Sequence, residues 1–485
     1  MRNAVTAIVT LVLAAAVACS TRTPIGGIGA ADGGIHTGGT GLPTGGTGTG
    51  GSGTGGWDFF TTGGVGTGGD GTGGAPSTGG SNFNTGGGGV AQVCPTAVGG
   101  AGGQSPNAPA FQPAANYRML GYPLAIAIAD VNGDSRPDLA VATYLPAATG
   151  GVSGNGSGTG GAQTGGAGAY IREGGNVSVL LNGGSGTFGT PTNHPVITPA
   201  SVAAGELSGD GKADLAVAAS EIGSVDVLTN TGTGTFGESV TYSVGIHPSA
   251  VAVGDLNGDG KMDIAVANSG QTNTGLGAGA GDVAVLLNAG GGNFVAANYL
   301  AGSNPAAIAI ADLNGDGKGD LAVANPAGGA TVLLNAGDGT FGAPAKYAAG
   351  STPYSVAIGD LNGDGKPDIA LASSTSGGGV AVLLNLGTGK FGAAIVYASG
   401  TFPRGIAIGD LNGDGFPDIA TAYSLPDCNG VSVLVNKGTG TFGAPIPYPL
   451  AGSPSSLALA DLNGDGKADL VVVSDEQVSV LINAR

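Results

Sequence analysis

A nine-residue acidic segment recurs seven times in this chain, and its residue types are those that bind metal ions. The purest copies read Asp-Leu-Asn-Gly-Asp-Gly-x-x-Asp and begin at Asp255, Asp312, Asp360, Asp410 and Asp461. A near copy begins at Asp130 and a more divergent copy at Glu206. Carboxylates at positions 1, 5 and 9, with a side-chain oxygen at position 3, supply the oxygen ligands that a hard cation such as Ca²⁺ prefers. Glycine at position 4, and usually at position 6, lets the backbone turn sharply enough to direct those oxygens inward.

Each segment therefore predicts one calcium site, with side-chain oxygens from positions 1, 3, 5 and 9 and a main-chain carbonyl from position 7. The predicted ligand residues are Asp130, Asn132, Asp134, Arg136 and Asp138; Glu206, Ser208, Asp210, Lys212 and Asp214; Asp255, Asn257, Asp259, Lys261 and Asp263; Asp312, Asn314, Asp316, Lys318 and Asp320; Asp360, Asn362, Asp364, Lys366 and Asp368; Asp410, Asn412, Asp414, Phe416 and Asp418; and Asp461, Asn463, Asp465, Lys467 and Asp469. The expected complement is six to seven Ca²⁺ ions, because the sequence leaves open whether the Glu206 segment binds one. Glu206 adds a methylene at position 1, and Ser208 is a different ligand at position 3.

An EF-hand is the competing interpretation of these segments. It is disfavoured because position 12 of the third segment is Val266 instead of a bidentate glutamate, and because the flanking residues are typical of strands.

The acidity of the chain is concentrated in these segments, which hold 21 of its 33 acidic residues. The formal charge of −18 is therefore better explained by cation sites than by a surface for basic partners. No cluster of Lys and Arg occurs in the sequence, so nucleic-acid binding is not expected. Catalysis is not expected either, because the sequence has three histidines and none of the G-x-S-x-G or H-E-x-x-H patterns.

The first 19 residues predict a signal peptide, since Arg2 is followed by an apolar run that is short for a membrane span. Two interpretations stay open: ordinary secretion after Ala18, or a bacterial lipoprotein with a lipid on Cys19. Either places the protein outside the cytoplasm. Residues 20–108 are rich in Gly, Thr and Ser and predict a disordered tether. Whether Cys94 and Cys428 form a disulfide cannot be derived from the sequence.

The region 109–485 is periodic, because its acidic segments begin 76, 49, 57, 48, 50 and 51 residues apart. A proline lies seven residues before every segment. One short apolar run follows the proline, a second follows the acidic segment and a third comes later, before a stretch such as Phe341–Tyr347. Four short strands per repeat, of which the first three are apolar on both faces, predict an all-β fold: a seven-bladed β-propeller of four-stranded antiparallel blades.

The two ends of this region predict how the ring closes. The last repeat stops after its third strand, Val478–Ile482, while a spare fourth strand, Phe111–Tyr117, precedes the first acidic segment. We expect this N-terminal strand to complete the last blade, which would remove an exposed sheet edge.

The combination of Phe-Gly, Gly-x-x-Pro and Asp-Leu-Asn-Gly-Asp-Gly-x-x-Asp resembles the FG-GAP/VCBS repeat family, which includes the seven-bladed propeller of integrin α subunits. The resemblance covers residues 109–485. It implies calcium in the loop that joins strands 1 and 2 of each blade. It also implies ligand binding on the opposite face, where strands 2 and 3 and successive blades are joined. It does not imply one activity, because fold and function are separable.

The protein is therefore expected to act as a calcium-binding, non-enzymatic binding or adhesion module at the cell surface. Its repeats resemble those of integrin α. The alternatives are a structural envelope or matrix protein, and a propeller enzyme or lectin that acts on polysaccharide. An unknown protein or glycan is expected on the second face, near Tyr122, His247, Tyr354, Phe402 and Arg404. The chain is expected to be a monomer, in contact with a membrane only through a lipid on Cys19.

Overall fold

The structure is a computed structural model of the 485-residue chain. It describes residues 107–145, 174–270, 281–374, 378–425 and 428–485. The predicted signal peptide, almost all of the tether, Cys94 and residues 146–173 lie outside the described residues. The described part contains strands and turns, and no helix in it could span a membrane.

The chain order of the strands is as follows. They are β1 (Ala115–Arg118), β2 (Tyr122–Ala129), β3 (Asp138–Leu145), β4 (Gly174–Leu180), β5 (Asn182–Gly184), β6 (Thr187–Phe188), β7 (Thr192–Ile197), β8 (Pro199–Gly205), β9 (Asp214–Ala219), β10 (Ser224–Leu228), β11 (Val240–Ser243), β12 (Pro248–Gly254), β13 (Asp263–Asn268), β14 (Gly281–Gly290), β15 (Asn293–Gly302), β16 (Ala307–Ala311), β17 (Asp320–Asn325), β18 (Gly329–Leu333), β19 (Ala345–Tyr347), β20 (Pro353–Gly359), β21 (Asp368–Ser373), β22 (Gly379–Leu383), β23 (Asn385–Gly387), β24 (Lys390–Phe391), β25 (Ile395–Ala398), β26 (Pro403–Gly409), β27 (Asp418–Leu425), β28 (Cys428–Leu434), β29 (Ile446–Pro449), β30 (Pro454–Ala460), β31 (Asp469–Ser474) and β32 (Gln477–Leu481).

These strands form seven four-stranded antiparallel sheets, the blades of a β-propeller. Blades 1 to 7 are β2-β3-β4-β7, β8-β9-β10-β11, β12-β13-β14-β15, β16-β17-β18-β19, β20-β21-β22-β25, β26-β27-β28-β29 and β30-β31-β32-β1. The first strand of each blade contacts the first strand of the next, and β30 contacts β2, so the ring is closed. The predicted seven-bladed fold is confirmed.

Closure depends on β1, which pairs with β32 in blade 7. Ala115 lies opposite Val480 and Tyr117 lies opposite Val478. The N-terminal strand therefore completes the last blade, as the sequence predicts. The two ends of the described region are hydrogen-bonded together, which removes the edge that β32 would otherwise expose.

Burial follows the position of each strand in its blade. All six residues of β13 are buried, because a blade packs against a neighbour on both of its faces. The outer strand β25 is mostly exposed. Alanine alternates with larger apolar residues along inner strands such as β16, and its small side chain suits strands that crowd around the axis.

An aromatic pair joins every blade to the next. The ring centroids lie 5.0–5.7 Å apart, and the rings meet edge to face. The pairs are Tyr117–Phe188, His194–Phe236, Tyr242–Phe294, Tyr299–Phe341, Tyr347–Phe391, Tyr397–Phe442 and Tyr448–Phe111. The phenylalanine of the Phe-Gly pattern is therefore a contact between blades, and one pair of the seven has histidine in place of tyrosine.

Candidate functional site

The seven acidic segments are the loops between the first and second strands of the seven blades. The loop of blade 3 starts at Asp255, directly after β12, and ends at Asp263, the first residue of β13. The turn between the third and fourth strands lies on the same face: the amide of Gly186 in blade 1 donates to the carbonyl of Leu462 in the loop of blade 7. We call this the loop face.

Position 1 organises each loop through its carboxylate. In blade 3, Asp255 Oδ1 accepts a 2.7 Å hydrogen bond from the amide of Gly258, and Oδ2 accepts one of 2.9 Å from the amide of Gly260. Both glycines have left-handed φ angles, +75° and +81°, which a residue with a Cβ rarely adopts. The Asp-x-x-Gly-x-Gly spacing thus folds the loop around one aspartate.

Positions 3 and 5 continue the same pattern. The Oδ1 atom of Asn257 accepts from the amide of Asp259 at 2.9 Å, and Oδ1 of Asp259 accepts from the amide of Lys261 at 2.9 Å. The ammonium of Lys261 lies 2.6 Å from the other oxygen of Asp259, and this pairing lowers the pKa of that carboxyl. Lysine or arginine takes this position in six loops and pairs with the position 5 aspartate in five of them. Lys318 instead donates to the carbonyl of Ala336, and Phe416 carries no charge.

Position 9 has a different environment from the other carboxylates. Asp263 is fully buried, with Oδ2 accepting from the amide of Leu256 at 2.9 Å and Oδ1 from the amide of Asn288 at 2.7 Å. Burial raises its pKa, and the two amides oppose that shift. The same burial raises the pKa of Asp320 and Asp368 to about 6 each. The structure therefore shows position 9 as a brace that joins its loop to the third strand of the same blade.

Sequence reasoning missed the asparagine at or just beyond the end of each third strand. Asn288 Nδ2 donates to the carbonyl of Met262 in its own loop and to that of Leu207 in the loop of the preceding blade, at 3.1 and 2.9 Å. All seven blades contain this residue, bonded to position 2 of the preceding loop: Asn182, Asn230, Asn288, Asn335, Asn385, Asn436 and Asn483. Its recurrence in the third apolar run, as in Leu-Leu-Asn, was the available signal.

The donor set of the loops suits a hard cation, since it consists of carboxylate, amide and main-chain oxygens. A carboxylate oxygen that accepts one amide hydrogen retains further lone-pair capacity. Across the described residues, the side chains of Asp, Glu, His and Cys do not converge in groups of three that could hold a metal ion. In the structure these carboxylates accept hydrogen bonds from the amides of their own loops.

The loop of blade 2 departs from the others. Glu206 uses the single oxygen Oε1 to accept from the amides of Gly209 and Asp210. The amide of Ser208 donates at 2.8 Å to the carboxylate of Asp214, in addition to the usual bond from position 2. The longer side chain at position 1 therefore gives a different loop closure from that of an aspartate.

The opposite face carries the connections that lead into the first strands, and we call it the proline face. It is defined by Pro123, Pro199, Pro248, Pro305, Pro353, Pro403 and Pro454. In five blades the residue just before the proline has a positive φ although it is not glycine: Thr198, His247, Asn304, Thr352 and Phe402, at +44° to +59°. Of the residues predicted to meet a partner, Tyr122, His247, Phe402 and Arg404 are exposed and Tyr354 is half-buried.

The comparisons with known proteins agree with this architecture. A model of the FG-GAP-like repeat matches residues 207–266, 312–371, 360–421 and 422–472, and a model of the FG-GAP repeat matches 247–286 and 402–441. No curated protein matches the chain in sequence.

Solved structures resemble this chain at low identity. The BP39L lectin from Burkholderia pseudomallei is 15% identical, with a TM-score of 0.50, over 77% of this chain and 97% of the lectin. BBS1N in complex with ARL6DN is 14% identical, with a TM-score of 0.49, over 77% of this chain and 97% of that one. The V. cholerae biofilm matrix protein Bap1 is 14% identical, with a TM-score of 0.35, over 76% and 88%. At 15% identity, the likeness to the lectin concerns the fold alone. Its repeats, together with the seven blades that they build, show that the chain belongs to the FG-GAP repeat family.

Proposed function

We propose that this chain is a non-enzymatic binding module that works outside the cytoplasm, with calcium-stabilised loops on the loop face and a protein or glycan ligand on the proline face. The two faces have separate roles in this proposal. The loop face is regular from blade to blade, whereas the proline face varies in its side chains and in the number of residues that join the second and third strands. Variable connections on a rigid scaffold are the usual place of ligand binding.

The cation part of the proposal rests on the repeated donor set. Positions 1, 3 and 5 are the residues that would hold the ion, because their oxygens lie within one tight loop at the surface. A bound divalent cation would neutralise carboxylates that otherwise repel one another. Extracytoplasmic calcium is abundant enough for sites of this class, and the predicted signal peptide supports that location.

The left-handed residues before the prolines are the observation that carries the ligand-binding part. A non-glycine residue at φ near +50°, such as His247 or Phe402, costs about 1–3 kcal/mol and persists where the surroundings enforce it. Proline restricts the preceding residue further. Five of the nine non-glycine residues with positive φ among the described residues lie at this one repeated position. The scaffold thus holds exposed side chains in fixed directions around the proline face.

The chemistry of these side chains indicates the kind of ligand. The side chains of Tyr122 and Phe402 are 46% and 36% exposed, and Arg404 lies beside Phe402 at the start of blade 6. Exposed aromatic rings bind the apolar faces of protein side chains and of sugars, while an arginine pairs with carboxylates. A protein or an acidic glycan is therefore the ligand class that we propose.

Binding of the full chain to protein and glycan arrays tests this function. Exchange of Phe402 and Arg404 for serine should abolish binding to the ligand found, whereas Leu386→Ser, which removes a 69% exposed side chain from the loop face, should leave it unchanged. If only the Leu386 variant loses binding, the ligand binds the loop face, and the proposal is contradicted. Turnover of a polysaccharide by the unaltered chain would contradict the non-enzymatic role.

A further inference from the structure

The outer strand of blade 3 is unlike the outer strands of the other six blades. It is β15, which has ten residues, while the others have three to six. An outer strand exposes unpaired N–H and C=O groups, and a long straight one is a template for another strand. At about 3.4 Å per residue, the edge of β15 extends for about 34 Å.

One missing residue accounts for the continuity of this strand. In the other six blades, four residue steps lead from the conserved phenylalanine to the residue opposite the third strand, as from Phe341 to Ala345, which lies opposite Val332. In blade 3 only three steps lead from Phe294 to Ala297, which lies opposite the equivalent Val285. The extra residue interrupts the outer strand in the other blades, as a bulge does. Without it, the ladder of blade 3 continues from Asn293 to Gly302, with shifts near its two ends.

The other outer strands carry features that prevent pairing. Prolines lie in β7 and β29, charged residues lie in β1 and β19, and β11 and β25 have four residues each. Charges, prolines and short lengths are the usual protections of an exposed edge. The sequence of β15 is Asn-Phe-Val-Ala-Ala-Asn-Tyr-Leu-Ala-Gly, without a charge or a proline.

We propose that this edge is a self-association surface through which two copies of the chain pair, β15 against β15, in antiparallel orientation. The backbone groups define the occupant as another strand, and a second copy always presents an edge of equal length and of no charge. An antiparallel pair has two-fold symmetry and closes on itself. Because β15 is the one long unprotected edge among the described outer strands, association stops at a dimer. The proposal differs from the monomer expected from the sequence.

The side chains of β15 are compatible with such a pair. With the two-fold axis at Ala297, Val295 of one copy faces Tyr299 of the other, and β-branched and aromatic residues stabilise each other across strands. Val295 is 64% exposed, and Ala296, Ala297 and Asn298 are exposed as well. The small side chains at the centre allow the backbones to approach. One strand pair buries less than a standard interface, so a dissociation constant of roughly micromolar to millimolar is expected.

Sedimentation equilibrium of the full chain from about 10 μM to 1 mM tests the proposal. The unaltered chain should dimerise. Insertion of one glycine between Val295 and Ala296, which restores the spacing of the other blades, and Val295→Lys should each raise the dissociation constant about tenfold or more. Val396→Lys is the control, because Val396 is 60% exposed on the short strand β25. Thermal unfolding of each variant checks that the propeller remains folded.

Three results would overturn the proposal. One is a monomer at every concentration. Another is an equal weakening of dimerisation by Val396→Lys, which would show that the contact is not specific to β15 among the outer strands. The third is a dimer that the glycine insertion leaves intact, since the interrupted edge could not then be the contact. Ligand binding on the proline face is measured in a separate experiment. A failure to find a ligand there would not change the conclusion about dimerisation.

Discussion

The side-chain amide of Asn335 in blade 4 donates a 2.6 Å hydrogen bond to the main-chain oxygen of Leu256, the second residue of the acidic loop of blade 3. The amide of Leu256 in turn donates to the buried Asp263. The same asparagine-to-loop bond occurs at all seven junctions, including Asn182 to Leu462 across the closure between blades 1 and 7. Loops that lie far apart in sequence are therefore connected around the ring by one repeated contact.

Removal of this contact should destabilise the whole propeller. In Asn335→Ala, the carbonyls of Leu256 and Gly319 lose their donor and the amide of Gly337 loses its acceptor. Since Asn335 is buried, we expect a loss of about 2–4 kcal/mol in the free energy of unfolding. Urea unfolding measures it. Asn293→Ala, which alters an exposed asparagine, is the control, and an equal effect of both variants would show that the junction contact contributes little.

Calcium removal should lower the melting temperature. A site whose affinity is near the extracellular calcium concentration contributes roughly 0.4–1.4 kcal/mol at one to ten times its dissociation constant, so six sites together contribute roughly 2–8 kcal/mol. Differential scanning calorimetry with calcium, with EDTA and with magnesium measures the shift. The structure closes each loop around its own amides, so identical melting curves in calcium and in EDTA would mean that those hydrogen bonds suffice.

The loop of blade 2 should be the one that binds no calcium. Glu206 closes this loop through one oxygen, and Ser208 is tied to Asp214. Elemental analysis after dialysis should give six ions per chain, five for Asp360→Asn and still six for Glu206→Gln. Glu206→Asp should restore the usual closure and raise the count to seven. A drop to five in Glu206→Gln would show that the divergent loop is occupied.

The histidine in the aromatic pair between blades 1 and 2 should make that junction sensitive to acid. His194 packs on Phe236, its Nε2 is buried without a hydrogen bond, and burial lowers its pKa. The folded state thus binds the proton less well than the unfolded chain. The contribution to stability is complete above the unfolded pKa of about 6.5 and is lost as the pH falls below it.

A tyrosine at this position should remove the pH dependence of the junction. The equivalent tyrosines of blades 3 and 4, Tyr299 and Tyr347, donate through their hydroxyls to the carbonyls of Gly339 and Gly389. The tyrosine of His194→Tyr should likewise donate to the carbonyl of Gly234 and add about 1 kcal/mol to the free energy of unfolding. Urea unfolding at pH 5 and pH 8 checks this. The stability advantage of the variant should be larger at pH 5, and an advantage independent of pH would show that His194 is not the titrating group. Titration of the carboxylates changes the stability of both proteins equally, so it cancels when the two are compared.

Much of the fold could be predicted from the sequence, because a period near 50 with four apolar runs per repeat fits few architectures. The surplus strand ahead of the first repeat likewise predicted the pairing of β1 with β32, since a missing strand at one end required a donor at the other. The candidate loops were equally visible, because aspartate and glycine at fixed spacing have local consequences for the backbone.

What remained hidden depends on contacts between residues distant in sequence. Tertiary packing decided that Asp263 is buried while Asp255 stays at the surface, although both are aspartates of one loop. Packing also decided that Asn335 joins two blades. The sequence determined the repeat, the turns and the number of blades through short-range spacing. The environment of each carboxylate and the length of the exposed edge at Val295 emerged only when the blades were packed side by side, because burial and pairing are properties of neighbours in space.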